Sequence, residues 1–423
     1  MSILSWLAIV VIILAVVALV KRLETRMVLI AAGLFLCVCA LHPLVGLEAF
    51  EKSMVKSSLI QAICSSMGFA FVASYTKCDK ALVHYLAAPI RGLGIFLIPV
   101  CTALTFFINI AIPSAAGCSA AVGATLIPVM MRAGIRPAAA AAAILGGTIG
   151  SYLSPGTSHN AMIAGMAHME VMDFITFHST YSFMCGIIVA VGLLIICFFL
   201  GDHKADKSEF EGVNIEEEAD TSFKPNLLMA IIPLVPIVLL LLGNTAIPAI
   251  KMGVCPAMII GALAALVVTL TNPADITKEF FRGMGKSYAD VMGIIIAAGV
   301  FAAGLKAAGL IDALVALLKD SNEIARWGAS IGPWLMGVIT GSGDAATMAF
   351  NEAVTPHAEE FGMTIHGLGG IAFLAGALGR TMSPLAGAAI VVSGIAMVDP
   401  LQVVKRTAIP CFISVIAVAL LMV

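Results

Sequence analysis

The sequence predicts an all-α polytopic membrane protein, with about ten transmembrane helices and two re-entrant hairpins arranged as two inverted repeats. Three observations carry that expectation. Of 423 residues 61% are hydrophobic and only 11% charged, where a soluble domain carries roughly 25% charged residues, so a soluble globular fold is excluded. Apolar runs long enough to cross a ~30 Å hydrocarbon core recur along the whole chain. Lys and Arg, finally, gather in a few clusters between those runs. The net charge of −2 points away from a nucleic-acid partner. Ten cysteines lie scattered through apolar runs without CxxC spacing and read as packing residues. Neither histidines nor carboxylates have the spacing of transition-metal ligands, and no cofactor is implied.

Basic clusters mark cytoplasmic loops. They fall at Lys21, Arg22 and Arg26; Lys77, Lys80 and Arg91; Arg132 and Arg136; Lys204, Lys207 and Lys224; Lys278, Arg282 and Lys286; and Lys405 and Arg406. Placing them all inside puts both termini outside. The first helix, Ser5 to Val20, follows no basic segment and precedes no small-residue cleavage site, so it reads as a retained span rather than a signal peptide. Segment 92–131 then begins and ends on the cytoplasmic side. It reads as a re-entrant hairpin that turns at "IPSAAGCSA" (112–120), where Pro, Ser and Gly suit a tight turn. A span over 136–165 is broken at Ser154-Pro155, and one more span closes the first repeat, residues 1–200.

Residues 201–225, "GDHKADKSEFEGVNIEEEADTSFKP", are polar and acidic at their centre, and read as a solvated cytoplasmic tether. The second repeat, 226–423, repeats the order: a hairpin at 327–356 turning at "TGSGDAA" (340–346), then a broken helix at 364–395. Acidic Glu359 and Glu360 place that hairpin on the outer side. "LSPGTSHNAMIAG" (153–165) matches "MSPLAGAAIVVSG" (382–394), with Gly165 and Gly394 each ten positions after the proline. Each unit of three spans, hairpin, broken span and final span crosses an odd number of times, so the second copy is inverted. Segments 83–90 and 311–320 read as amphipathic interfacial helices. Paired interrupted segments in inverted halves point to a transport site near the bilayer midplane.

The residues at the breaks carry the chemistry. A charge at bilayer depth costs from ~3 to over ~10 kcal/mol, so Arg380 requires a purpose. Its guanidinium can hold a carboxylate by two parallel hydrogen bonds and stays charged in any surroundings; the plainer alternative pairs it with Asp344. Helix ends freed at Ser154-Pro155 and Ser383-Pro384 offer N–H groups to an anion and carbonyls to a cation. Thr157, Ser158, Asn160, Thr340, Ser342, Thr381 and Ser383 add uncharged hydrogen-bonding groups, though any hydroxyl can instead bond its own helix. Asp344 is a candidate for the coupling H⁺ or Na⁺, and His159 for a titrating partner.

At "SAAGCSAAVGATLIPVMMRAGI" (114–135), "TGSGDAA" and "LGRTMSPLAGAAIVVSGIAMVDPLQVVKRTAIP" (378–410) the chain resembles the anaerobic four-carbon dicarboxylate uptake C (DcuC) family of the ion-transporter superfamily. The span pattern extends the likeness along essentially the full chain. The resemblance implies an elevator-type carrier, with a scaffold and a mobile transport domain, that moves succinate, fumarate or malate across a bacterial inner membrane. It implies a site at Ser114 to Ser119 (Ser114 and Gly117 among them), Ser154 to Asn160, Thr340 to Asp344 (with Gly343), and Arg380 to Ser383. It favours a homodimer. The family's second hairpin often has Asn where this chain has Asp344, and Asp can stand where it has Asn160, which leaves substrate and coupling ion open. An amino acid or another carboxylate is the alternative cargo. Gly341-Ser342-Gly343-Asp344 also matches the Gly-x-Gly-Asp pattern of intramembrane aspartyl proteases, but their Tyr-Asp and Pro-Ala-Leu partners have no counterpart here. A passive channel is disfavoured, because opposed hairpins meeting at the midplane make a closed site.

The charge asymmetry predicts sidedness. On a background without native cysteines, single cysteines at Asp206 and Arg282 should react with an impermeant thiol reagent only from the cytoplasm, and one at Glu359 only from outside. Labelling of Asp206 and Glu359 positions from one face would remove the inversion.

Overall fold

Inside hydrocarbon each backbone N–H and C=O must find a partner within the protein, and a helix does this within one segment. Every regular element of the computed structural model is accordingly helical, with no strand among the described residues, which are 2–21, 23–87, 93–203, 226–313 and 322–422. Most of the expected tether (204–225) and the ends of the two expected interfacial segments (88–90 and 314–320) lie outside them.

The chain opens with α1 (Ile3–Val20), α2 (Thr25–Cys39), α3 (Pro43–Met54), α4 (Ser57–Tyr75) and α5 (Cys78–Ala87). Next come α6 (Leu97–Ala111) and α7 (Ala115–Arg132), separated by a turn at Ile112–Ser114. The helix α8 (Pro137–Gly147) tightens into a 3₁₀ stretch, Thr148–Leu153, and breaks before α9 (Ser158–Met166); α10 (Val171–Phe199) follows. Beyond the tether lie α11 (Leu227–Ile231), α12 (Val235–Thr245), α13 (Val254–Thr269) and α14 (Pro273–Ser287), which runs through a π-helical turn at Tyr288–Met292 into α15 (Gly293–Ala307). The order then repeats that of the first half: α16 (Asn322–Thr340) and α17 (Gly343–Ala353) around a two-residue turn, α18 (Ile365–Thr381) and α19 (Gly387–Ala396) around a break, and α20 (Pro400–Leu421). Starts are specified locally. Thr364 Oγ1 accepts from Gly367 N at 3.1 Å to cap α18, and Asp399 Oδ1 accepts from Leu401 N at 2.7 Å before Pro400 opens α20.

Among the described residues, five helices are long and apolar enough to cross a bilayer: Gly94–Ala111, Ala115–Arg132, Val171–Phe199, Pro273–Ala307 and Pro400–Leu421. Pro43–Met54 with Leu59–Tyr75, bent by 51°, makes a sixth. That is fewer than the ten expected, because the interrupted helices are divided into pieces too short to register, and Ile3–Leu19, Thr25–Cys39, Leu227–Gly243 and Val254–Thr269 stay under 18 residues. Both arms of the first expected hairpin, by contrast, are each long enough to cross. Its re-entrant reading therefore rests on the flanking charges and not on length.

The apolar core is divided. One cluster takes Ile98 and Phe106 of α6, Leu126 of α7, most of α8, Phe174 of α10, Leu374 of α18, Val392 of α19 and Val415 of α20. Others gather Phe69 and Val72 of α4, Ala257 of α13 and Ile295 of α15, and Leu36 of α2 with Phe301 of α15. Helices in lipid gain little by hiding apolar surface from one another and rely on close contact of small residues. Gly283 of α14 shows this, since a Cβ there would stand 2.5 Å from the carbonyl oxygen of Met67 in α4. Only backbone fits.

One buried ion pair joins α20 to the segment that follows α10. Arg406 of α20 donates from Nε and Nη2 to both carboxylate oxygens of Asp202, each at 2.7 Å, and the Asp202 carbonyl accepts from Arg136 N at 2.8 Å. Asp202 is wholly buried. Removing one partner of such a pair costs about 3–5 kcal/mol. Asp202→Ala and Arg406→Ala should each lower the thermal midpoint in detergent, and Asp202→Ala combined with Arg406→Ala should lower it by less than the sum. Additive losses would show that the two charges do not interact.

Candidate functional site

Four helices start at one place. α7 begins after Ser114, α9 after Thr157, α17 after Ser342 and α19 after Ala386. Together they bound a cavity of about 370 Å³, lined from these starts by Ala115, Ala116, Ser158, His159, Ser342, Asp344, Gly387 and Ala388. The facing wall comes from Ile63, Ser66 and Met67 of α4, Ser287 of α14, and Val291 of the π turn.

The two breaks are built alike. Ser154 N donates to Ser151 O at 3.0 Å and Ser383 N to Arg380 O at 3.0 Å; Thr157 N returns to Ser154 O at 3.1 Å, and Ala386 N to Ser383 O at 3.2 Å. Each serine hydroxyl accepts from the amide two residues on, Gly156 N or Leu385 N, at 3.3 Å. Proline at the next position cannot donate, which is why the helix stops there.

Each interruption also strands carbonyls, and side chains take them up. Asn109 Nδ2 donates to Ile112 O at 2.8 Å, while its Oδ1 accepts from Ser151 N at 2.7 Å, so one amide joins the α6–α7 turn to the first break. Thr157 Oγ1 donates to Ser151 O at 2.6 Å, and Asn160 Nδ2 to Tyr152 O at 2.7 Å and Ser154 O at 2.9 Å. Thr407 Oγ1 donates to Thr381 O at 2.8 Å. The opposite ends are treated differently. First-turn N–H groups have no acceptor within their own helix, and α9 and α19 have no side-chain cap. The cavity therefore presents donors.

Arg380 enters this cavity from the last turn of α18, where a cation is also favoured by the helix dipole. Its Nη2 donates to Thr148 O at 3.4 Å. No ion pair joins it to Asp344 among the described residues. Asp344, with 61% of its side chain exposed, instead faces His159 Nε2 at 3.9 Å. His159 is buried, its Nε2 has no hydrogen-bond partner, and its ring stacks on Phe373 at 4.7 Å between centroids. Among the described residues lining the cavity, Arg380 is the one guanidinium and Asp344 the one carboxylate. A lone acid lacks the second carboxyl with which aspartyl proteases share a proton.

Comparison with known proteins decides the family. Residues 59–423 match DcuC, the C4-dicarboxylate anaerobic carrier. The chain belongs to the DcuC family. It is thus a transport protein of the bacterial inner membrane and not an enzyme. An uncharacterized transporter of Haemophilus influenzae is 48% identical over 277 residues, 64% of this chain and 99% of that one. The anaerobic C4-dicarboxylate transporter DcuC of Escherichia coli K12 is 27% identical over 372 residues, 85% of this chain and 78% of that one. In fold, the chain is similar to the YdaH transporter of Alcanivorax borkumensis, with a TM-score of 0.60 at 14% identity, covering 89% of this chain and 86% of that one.

Of the site residues expected in this DcuC-family chain, Ser114, Thr157, Ser158, His159, Ser342, Asp344 and Arg380 line the cavity. The others do not. Ser154, Thr381 and Ser383 are buried, with Thr381 Oγ1 bonded to Ala377 O at 2.9 Å. Asn160 is turned into the break, and Gly117 N is engaged by the Ser114 hydroxyl at 3.2 Å. A Cβ on Gly343 would stand 2.5 Å from Gly376 O, and Thr340 lines a smaller recess of about 240 Å³ beside α1. Sequence reading missed Asn109, Phe373, Ser66 and Ser287. Ser66 sits in an apolar helix without a local break, and Ser287 ends the charged helix α14 at a π-helical turn that no proline or glycine pair announces.

The second turn depends on Gly341. Its φ is +73°, and a Cβ would lie 2.7 Å from the Leu385 carbonyl carbon. Left-handed backbone costs a residue with a Cβ roughly 1–2 kcal/mol, and backbone atoms cannot move aside. Gly341→Ala should lower thermal stability and abolish ligand binding, while Gly394→Ala, which meets open space, should be tolerated. Equal behaviour of the two variants would separate this turn from the site.

Proposed function

We propose that this chain is a secondary active carrier of C4-dicarboxylates such as succinate, fumarate and malate, working by alternating access with H⁺ or Na⁺ coupling or by exchange. The observation that carries the reading is Arg380, a guanidinium with one long internal bond, set in a cavity whose polar rim is made of helix N-termini. A planar fork and free N–H groups suit carboxylates. The names of the relatives support the same substrate class. Ser114, Ser158 and Ser342 are the uncharged ligands in this reading, the one hydroxyl hydrogen of Thr157 being taken by Ser151 O, and Asp344 with His159 the coupling site.

The mechanism proposed with it is of elevator type, with ten spans, two re-entrant hairpins and two inverted repeats. The hairpin and broken-helix body would be the transport domain, and the body around α4, α13 and α15 the scaffold, in a homodimer. The larger cluster, which joins α6, α7, α8, α18, α19 and α20, supports that division, although α9 and α17 also pack into the cluster of α4, α13 and α15 through Ala161, Met162 and Met348. One observation favours a second cargo. Asp344 shares the cavity with Arg380 without pairing to it, an arrangement that also suits a zwitterionic amino acid, its carboxylate on the arginine and its ammonium on the aspartate.

Counterflow in proteoliposomes against a panel of dicarboxylates and amino acids, with H⁺ and Na⁺ gradients varied separately, distinguishes these cargoes. Arg380→Lys keeps the charge but not the fork, and should raise the half-saturation for succinate about tenfold or more, in line with the loss of one charged hydrogen bond. Arg380→Ala should be inactive, and Arg380→Ala with Asp344→Ala should stay inactive. Recovery in the double variant would mean that Arg380 only balances Asp344, and would leave recognition to the helix ends.

A further inference from the structure

Asn160 holds the first break from inside, and something must hold Asn160. Both hydrogens of its Nδ2 go to the carbonyls of Tyr152 and Ser154, at 2.7 and 2.9 Å. Its Oδ1 can only accept. The group beside it is His178 Nε2 of α10, at 3.1 Å, and His178 Nδ1 lies 2.9 Å from Ser182 Oγ. His178 and Ser182 are both wholly buried. The bonding fixes the tautomer: Nε2 carries the hydrogen and donates to Asn160, and Nδ1 of the neutral ring accepts from the serine hydroxyl. The same ring stands edge-on to Phe373, with centroids 6.1 Å apart, and Phe373 stacks face to face on His159.

We infer that His178 is a positioning residue of the site, acting through Asn160. Asn160 and His159 belong to the first turn of α9, whose N–H groups and imidazole face the cavity. The amide pins the chain on the near side of the break, at Tyr152 and Ser154. A histidine on a neighbouring long helix keeps that amide in the one rotamer that reaches both carbonyls. Without the Nε2 donor the amide loses its third bond and can rotate. The first turn of α9 would then no longer be held at the cavity wall. The inference rests on the cavity being the binding site.

Glutamine places its amide nitrogen near the position of Nε2, whereas asparagine reaches only as far as Nδ1, so the pair separates the donor from mere volume. In purified protein lacking native cysteines, Ser158→Cys reports the first turn of α9 through its rate of reaction with a maleimide. His178→Asn should raise that rate about tenfold and His178→Gln leave it within about twofold, as expected for loss or retention of one buried hydrogen bond. In succinate counterflow, His178→Asn should raise the half-saturation by a similar factor with a smaller change in maximal rate, His178→Gln should restore it, and in an Asn160→Ala background His178→Asn should change nothing further. Identical effects of Asn and Gln on labelling, or additive effects of His178→Asn and Asn160→Ala, would overturn the assignment. A wild-type protein that moves no dicarboxylate would refute the proposed function, and the labelling rates would still decide the role of His178.

Discussion

A helix interrupted inside a bilayer must hand over the hydrogen bonds it can no longer make, because no water is present to take them. An unmet buried backbone group costs about 1–3 kcal/mol. This chain interrupts its helices four times around one cavity and meets the cost mainly on the carbonyl side. The stranded carbonyls go to side chains, Asn109, Thr157, Asn160 and Thr407 among them. Ser114 and Ser342 cap the starts of α7 and α17, whereas α9 and α19 begin at the cavity without a side-chain cap. The sign of the site follows. Had the carbonyls been left open and the amides covered, the same fold would present acceptors and favour cations.

This division of labour explains why several polar residues near the breaks are unavailable to a ligand. Ser154 and Ser383 are each occupied in closing their own turn, and Thr381 bonds back to its own helix. It also gives Arg380 its distinct status. A guanidinium has five donors, and the internal acceptor found for it is a single carbonyl at 3.4 Å. A half-buried cation this poorly matched is stable only if the cavity is wet or filled by an anion, and either condition describes a binding site better than a structural pair.

Much of the frame was legible in the sequence because its causes are local. Ser-Pro stops a helix wherever it occurs, Gly341 permits a backbone that other residues avoid, and an arginine in an apolar run draws attention by its cost. What could not be read was orientation. Asn160 lies among residues that face the cavity yet turns inward, and its partner His178 sits 18 positions away on another helix, as one polar group in an apolar run. Ser66 reads as an ordinary helix serine, and it does bond back to Ala62 O at 2.7 Å, but packing sets it on the facing wall. The span count suffered for a related reason: hydropathy counts apolar length, whereas these helices are divided where function needs their ends.

The cavity lies between the helix starts of α7, α9, α17 and α19 on one side and α4 with α14 on the other, and under the proposed function this bears on how binding could drive motion. Arg380, the helix starts and the Asp344–His159 pair all belong to the hairpin and broken-helix body, while α4 and α14 contribute Ile63, Met67 and two serines. A ligand can shift an equilibrium only by its differential affinity for the two states. Strong contacts to one body travel with that body and favour no state. The discriminating contacts must then be the weak ones across the gap, at Ser66 and Ser287, together with the cost of leaving Arg380 uncompensated against an apolar wall. An empty site would resist crossing because its charge is unmet, and a loaded one would cross because the anion and guanidinium neutralise each other. Under the proposed function, the arginine that would bind the cargo would also set the condition for moving it.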